Sequence, residues 1–506
     1  MGAVLEDETI YQRRKTLGRM TSGVGLEDAY SATLSRIQGQ GGNKRKLGME
    51  ALMWISHSER PLKVPELCHA LAVEPGTTEL NLNNVASIRT LLSCTLGLVT
   101  VDEQASIVRL VHFTLQEYLS AHPNLFITSH SMMAEICLTY LNFESICQLP
   151  TTFDTIPSTT PFLHYASCYW GFHARKEMTE TVKQLALRHL QRDANHISVD
   201  ILLREKSIGF LSLWDRHIGN PPDLRGFTGL HCIGYMGIAE IGVSMVEMKR
   251  WDLNGRDSKG ATPLIWAIKY GNCALAKVFL EQGEINPTLP DPEGLTPLTH
   301  AAKAGREGVV GLHLERGDVN PDSANGYGRK PLSYAAEEGH EGVVEILLER
   351  GEVNPDSADN SGRTPLSYTA HTGHEGVVKI LLERGEVNPD SANGYGQTPL
   401  SYAAQKGCEG VVKILLERGE VNPDSANLFG RTPLSYAAEK AHEGVVEILL
   451  GREDVNPGSS DMDGRTPLSY APQWSAVKAL LERGDSTSVP SKPSGPLKRS
   501  FGAAFP

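Results

Sequence analysis

The sequence has no Cys-x-x-Cys pair, no apolar run long enough to cross a bilayer, and no Gly-x-x-x-x-Gly-Lys-Ser/Thr loop. Each absence removes a class. The eight cysteines (Cys68, Cys94, Cys137, Cys147, Cys168, Cys232, Cys273 and Cys408) are scattered through 506 residues. They read as buried or free thiols in a reducing compartment, not as a disulfide framework or a zinc site. The longest apolar stretch, Leu91 to Val101, falls short of the roughly 20 residues of a spanning helix. Without a phosphate-cradling loop, nucleotide-driven chemistry has no seat. Positive charge is also short: 48 Lys and Arg stand against 60 Asp and Glu, a formal net charge of -12. Such a chain is repelled by nucleic-acid backbones. Met1 to Asp7 carries acids and no apolar core, so no signal peptide is expected. Glu6 breaks the myristoylation pattern. The expected setting is cytoplasmic. The short basic clusters Lys44-Arg45-Lys46 and Lys498-Arg499 leave the nucleus as the alternative and otherwise read as solvated surface.

What is present is repetition. Thr-Pro-Leu starts at Thr262, Thr296, Thr364, Thr398, Thr432 and Thr466, with Lys330-Pro331-Leu332 in series. Every step is 34 residues, and one step back lies Thr228-Gly229-Leu230-His231. In the unit opening at Thr364, the threonine hydroxyl suits an N-cap and Pro365 suits the first helical position. Leu366, Thr369 and Ala370 have the i, i+3, i+4 spacing of a buried face. Gly373 suits a left-handed helix stop. A second helix carries Val377, Val378, Ile380, Leu381 and Leu382, with Gly385 as its expected end. Val387-Asn388-Pro389-Asp390-Ser391 and Asn393-Gly394 supply turn chemistry for an extended finger. One such unit cannot bury its own apolar face, whereas a stack can.

The pattern resembles the ankyrin repeat. Gly339-His340-Glu341-Gly342-Val343-Val344 and Gly373-His374-Glu375-Gly376-Val377-Val378 carry the likeness beside Thr-Pro-Leu. The resemblance implies a solenoid of helix pairs with a protein-binding concave face. Serine stands at the motif histidine in most units (Ser333, Ser367, Ser401, Ser435, Ser469), which removes a helix-bracing hydrogen bond. The period is one residue longer than the family's usual 33. His340, His374 and His442 recur at repeat spacing, too far apart to share one ion. They are expected to cap the second helices.

The front of the chain reads differently. Apolar helices are expected over Leu47 to Ser56, from Pro65 through Leu71 and Val73, and over Ile88 to Leu96. A hairpin is expected from Leu98-Val99-Thr100-Val101 and Ile107 to Val111 around Asp102-Glu103-Gln104-Ala105. Three helices and a hairpin are the winged-helix order. Leu26-Glu27-Asp28-Ala29-Tyr30, Ala51-Leu52-Met53-Trp54-Ile55 and Val111-His112-Phe113-Thr114-Leu115-Gln116-Glu117-Tyr118-Leu119 resemble the winged-helix segment that follows the NACHT module in fungal NLR-like proteins. Pro161-Phe162-Leu163-His164-Tyr165-Ala166 to Tyr169-Trp170-Gly171 is similar to their helical connector. No NACHT loop exists here, and only 24 residues precede the segment. In the family, the histidine matching His112 contacts nucleotide; here that role is orphaned, and packing is its expected role. The candidate recognition helix, Ala86 to Leu96, holds one base, Arg89, too few for DNA.

The fold class expected is therefore mostly α. It has a winged-helix-like domain (25–125), a helical connector (126–220) and an ankyrin-repeat solenoid with short β-finger loops (221–484). The solenoid has eight units, the first and last degenerate; Pro472 interrupts the last. Residues 1–24 form a disordered or remnant segment and 485–506 a disordered tail. Differences between units concentrate at two places, both on the concave face of such a stack. One is the end of the first helix: Glu337-Glu338, His371-Thr372, Gln405-Lys406 and their equivalents. The other is the finger tip: Tyr327, Tyr395, Phe429 and Met462. Exposed aromatics suit binding hot spots, so Tyr327, Tyr395, Phe429, Met462, Glu337, Glu338, His371, Gln405 and Lys406 are the candidate partner-binding residues. No catalytic residue, cofactor, metal, membrane, nucleic acid or small-molecule substrate is expected. The function expected is a non-enzymatic scaffold for a partner protein. The alternatives are a trans-acting regulator of a NACHT-type ATPase and a truncated relic of an NLR-like receptor.

Overall fold

A computed structural model describes residues 24–150, 157–192, 196–209 and 223–471. The segment 1–23, most of the last unit with Pro472, and the tail 485–506 lie outside the described residues. The chain divides into two compact units after Asn286.

The first unit opens with α1 (Val24–Gln38), α2 (Asn43–His57), α3 (Val64–Ala70) and α4 (Ile88–Cys94). An antiparallel hairpin of β1 (Val99–Asp102) and β2 (Ile107–Leu110) follows, pairing Val99 with Leu110 and Val101 with Val108. Asp102 turns it, its Oδ1 accepting from the amides of Gln104 and Ala105 at 3.2 Å each. Leu52, Trp54, Leu67, Leu91, Val108 and Leu115 fill the core. Gly48 lets α2 approach α4, since a Cβ there would lie 2.7 Å from the Cys94 carbonyl. Glu66 is buried, and Arg60 grips it with two bonds of 2.8 and 2.7 Å; this pairing makes a buried carboxylate tolerable.

The hairpin leads into α5 (Phe113–Ala121). Here the expectation for His112 needs correction. The side chain is exposed, not packed in a core, and it is the N-cap of α5, its Nδ1 accepting from the Thr114 amide at 3.3 Å. Then come α6 (Ser129–Leu141), α7 (Glu144–Cys147), α8 (Leu163–Lys176), α9 (Glu180–Leu190) and α10 (Ile197–Gly209). Tyr165 and His173 are buried on α8, with the Tyr165 hydroxyl 2.9 Å from His173 Nε2. His173 Nδ1 lies 2.9 Å from His130 Nδ1 on α6. Two helix pairs close this unit, Gly229–Met236 with Ala239–Glu247 and Pro263–Lys269 with Cys273–Leu280.

The second unit repeats one design. Helix pairs Pro297–Lys303 and Glu307–Glu315, Pro331–Glu338 and Glu341–Leu348, Pro365–Thr372 and Glu375–Leu382, Pro399–Lys406 and Glu409–Leu416, Pro433–Glu439 and Glu443–Leu450 lead to a last helix, Pro467–Tyr470. The N-cap reading holds. Thr364, Thr398 and Thr432 each accept from the amide three residues on at 3.3 Å. Gly373 stops its helix at φ +88, a conformation that other residues resist. Gly385 does not play the expected part. The second helix ends at Leu382 with Glu383 still in right-handed geometry, because the next turn closes through Arg384 and Val387 without a left-handed residue. Val377, Val378, Leu381 and Leu382 are buried, and Ile380 is half-buried.

Candidate functional site

The site is built on the fingers and on the first-helix ends beside them. In each finger one Asn or Asp organises the turn. Asn393 Oδ1 accepts from the amides of Tyr395 at 2.9 Å and Gln397 at 2.8 Å, while its Nδ2 donates to the Tyr402 hydroxyl at 2.6 Å. Asn325, Asp359, Asn427 and Asp461 repeat this arrangement with Tyr334, Tyr368, Tyr436 and Tyr470. The turn is thus clamped at its base, and the tip residue is left outside.

Neighbouring tips are tied to one another through their backbones. Tyr327 accepts from the Asn360 amide at 3.0 Å, Tyr395 from Leu428 at 2.9 Å and Phe429 from Met462 at 3.0 Å. The fingers form one row in which Tyr395, Phe429 and Met462 lie on consecutive tips and Tyr327 lies one finger apart, and their side chains face solvent: Tyr327 is 70% exposed, Tyr395 60%, Phe429 57% and Met462 78%. Leu428, beside Phe429, is 60% exposed and joins them.

The helix-end residues differ. Glu338 and Lys406 are exposed, whereas Glu337, His371 and Gln405 are half-buried. Glu337 is engaged by Arg329 at 2.5 Å. His371 packs edge-on against Tyr402, with ring centroids 5.7 Å apart. Burial holds the His371 imidazole below its usual range; Lys406 and Arg363 push the same way, and Glu337 opposes them. Glu337, His371 and Lys406, from three successive units, therefore share one electrostatic neighbourhood.

A second set of residues was not anticipated. Arg329 lies between two tyrosine rings, its guanidinium carbon 3.9 Å from the centre of Tyr334 and 4.0 Å from that of Tyr368. Arg431 sits likewise between Tyr436 at 4.2 Å and Tyr470 at 4.4 Å. Arg363 sits more loosely, 5.8 Å from Tyr368 and 5.2 Å from Tyr402. Planar guanidinium on an aromatic face is a favourable contact. Gln397 replaces the arginine in one unit and donates instead to the Tyr436 hydroxyl at 3.1 Å. Eight residues on, the partner changes too: Arg329 and Arg431 pair with Glu337 and Glu439, whereas Gln397 is followed by Gln405. The signal was an arginine directly before the Thr/Lys-Pro-Leu start in four units.

The recurring histidines are not helix caps, which corrects the expectation. His340, His374 and His442 make no side-chain bond at the helix they precede. Each instead bonds through Nε2 to a carbonyl of the preceding unit, that of Lys303, Glu337 or Gln405, at 3.1 Å. A left-handed glycine makes room for the ring: a Cβ on Gly339 would lie 2.5 Å from His374. The motif histidine survives as His231, whose Nε2 reaches the Ala261 carbonyl of the next unit at 3.1 Å. Serine keeps only the local bond to the capping threonine, as at Ser401 and Thr398. Among the described residues, no group of three or more His, Cys, Asp or Glu is placed to hold a metal ion.

The chain is mostly helical, with a winged-helix domain toward its N-terminus and ankyrin repeats in its second half. Models described as ankyrin repeats match residues 283–359, 352–427 and 419–490, and another matches 247–301. The winged-helix domain of GPI inositol-deacylase matches residues 36–129. Among solved structures, the human ASB11 ankyrin repeat domain is 27% identical, covers 44% of this chain and 98% of its own, and has a TM-score of 0.41. The ankyrin repeat domain of Bcl-3, a member of the IkappaB protein family, is 23% identical, covers 44% of this chain and 99% of its own, and has a TM-score of 0.38. No curated protein matches the chain. The repeats support a role as a protein–protein interaction scaffold. No helix among the described residues is long and apolar enough to cross a membrane.

Proposed function

We propose that this chain is a non-enzymatic scaffold that holds a partner protein on the concave side of its ankyrin array. The observation that carries this reading is the row of solvent-facing Tyr327, Tyr395, Phe429 and Met462 on clamped, backbone-linked fingers. Large apolar side chains held rigidly in solvent are what interface hot spots use. Glu338, Lys406 and the half-buried Glu337, His371 and Gln405 supply the polar rim of the same surface. The test is affinity capture with the full chain and with a Tyr327→Ser/Tyr395→Ser/Phe429→Ser variant of equal thermal stability. Capture of a common protein set that the variant loses supports the reading. Equal capture by both sinks it.

A second reading has its own observation. Val111 and Phe113 flank His112 on the winged-helix domain and are both exposed, as is Leu96. The resemblance to NLR-like proteins makes this the surface for a separate NACHT-type ATPase, which the chain would regulate in trans. Loss of an ATPase from the captured set in Phe113→Ser, with the finger-tip set retained, is the outcome this reading requires.

A further inference from the structure

We infer that the finger-tip row takes an extended, basic segment of the partner protein, with a bulky apolar side chain at about every third residue. This rests on the reading of the array as a partner-binding surface and adds the chemistry of what it binds.

The spacing follows from the backbone. Each finger is a two-limbed turn, closed for instance by the Asn393 amide on the Gln397 carbonyl at 2.9 Å and by Asn427 on Arg431 at 3.0 Å. Successive fingers bond limb to limb, Leu428 to Tyr395 and Met462 to Phe429. One unit therefore advances two strand spacings, about 10 Å, while an extended chain in the polyproline II conformation rises about 3.1 Å per residue and presents every third side chain on the same face. Three residues of a partner match one step of the row. Three consecutive fingers carry an apolar tip, Tyr395, then Leu428 with Phe429, then Met462, the last at the position equivalent to Leu428 with Asp463 beside it; Asn360-Ser361 interrupts the row between Tyr327 and Tyr395.

The charge follows from the distribution of acids. Between Pro287 and Ala471 the sequence holds 29 Asp and Glu against 16 Lys and Arg. This excess of 13 exceeds the whole chain's net charge of -12, so the rest of the protein is close to neutral. The arginines nearest the tips are already engaged, Arg329 and Arg431 between tyrosines and against Glu337 and Glu439. The net charge of the array that carries the row is negative, which draws in a cationic segment. The same net charge on the array opposes its association with a second copy of this chain.

The experiment uses the purified full chain and a fluorescent peptide with Phe at every third position and Lys between. A control peptide of the same composition has its Phe residues clustered. The expected result is saturable binding that weakens when ionic strength rises from about 0.05 to about 0.3 M. Affinity should fall about tenfold or more in Tyr395→Ser/Phe429→Ser/Met462→Ser, with helical content unchanged, and also for the clustered peptide. Equal affinity in the variant, equal affinity for the clustered peptide, or a dimer of the free chain that the variant abolishes each overturns the inference. If the peptide does not bind while capture of the protein set still depends on the tips, the stated chemistry is wrong and the scaffold reading stands. If the peptide does not bind and capture is also indifferent to the tips, both fall.

Discussion

Asn393 holds Tyr402 at 2.6 Å from nine residues away, and the same side chain fixes the finger turn through two backbone amides. The relationship recurs with chemical substitution. Where the first residue is Asn its amide meets the phenol oxygen, and where it is Asp the phenol donates, as from Tyr368 to Asp359 at 2.6 Å. In the first unit Trp266 donates to Asp257 at 2.8 Å in the same place. Removing Asn393 frees two amides and a buried hydroxyl partner. Asn393→Ala is expected to cost about 2 kcal/mol, read by urea unfolding. Tyr402→Phe should cost about 1 kcal/mol. No loss in either would mean that the finger is not held by its helix.

The seam at Cys408 offers a gain. Histidine at this position in other units bonds the preceding unit's carbonyl at 3.1 Å, and Cys408 makes no such bond among the described residues. Cys408→His is expected to raise stability by about 1 kcal/mol, and His374→Ala to lower it by a similar amount. A fall in the unfolding midpoint for Cys408→His would show that the ring does not fit beside Gly373.

The arginine ladder can be tested by transplantation. Gln397→Arg alone places an unpaired cation in the stack, and Gln397→Arg/Gln405→Glu restores the pattern of Arg329 and Glu337. The double variant should exceed the sum of the single ones by about 0.5 to 1 kcal/mol in a mutant cycle. A coupling near zero would make the recurring pair incidental.

Acid sensitivity should come from buried imidazoles. Burial, with His130, Lys176 and His57 adding to it, pushes His173 down to about 3, and burial first pushes His196 and His313 down to about 4. Each folded pKa lies below the unfolded value of about 6.5, so the unfolded chain binds more protons in between. Stability should therefore hold at neutral pH and fall as pH drops from about 6.5 toward about 4. Asp356, Asp390 and Asp424 are raised by burial; they act in the opposite sense, with stability falling as pH rises through their range. His173→Gln should flatten the acid limb of a stability–pH curve. An unchanged limb would assign acid sensitivity elsewhere.

Much of this was legible because the chain repeats itself. Threonine before proline, the glycine stop and the apolar faces are local rules that one unit states and the next confirms, so the helices and exposed tips follow from sequence. Two things were not legible. Glu337, His371 and Gln405 stand out where the units differ, whereas Arg329 and Tyr334 recur in most units, and the contact of Arg329 with Tyr368 forms only when two units stack. His340 and His374 likewise point backward into the preceding unit, and adjacency in sequence to the second helix suggested a cap. At His112 the residue before a helix did turn out to be its cap, because an extended backbone there turns Nδ1 toward the Thr114 amide.

The most direct measurement is hydrogen exchange of the full chain with and without its captured partner. Protection is expected at the tips 326–329, 394–397, 428–430 and 462–464 and at the helix ends 337–338, 371–372 and 405–406, with the outer helices Glu341–Leu348 and Glu375–Leu382 unchanged. Protection confined to those outer helices, or to the winged-helix domain, would contradict the assignment of the binding surface.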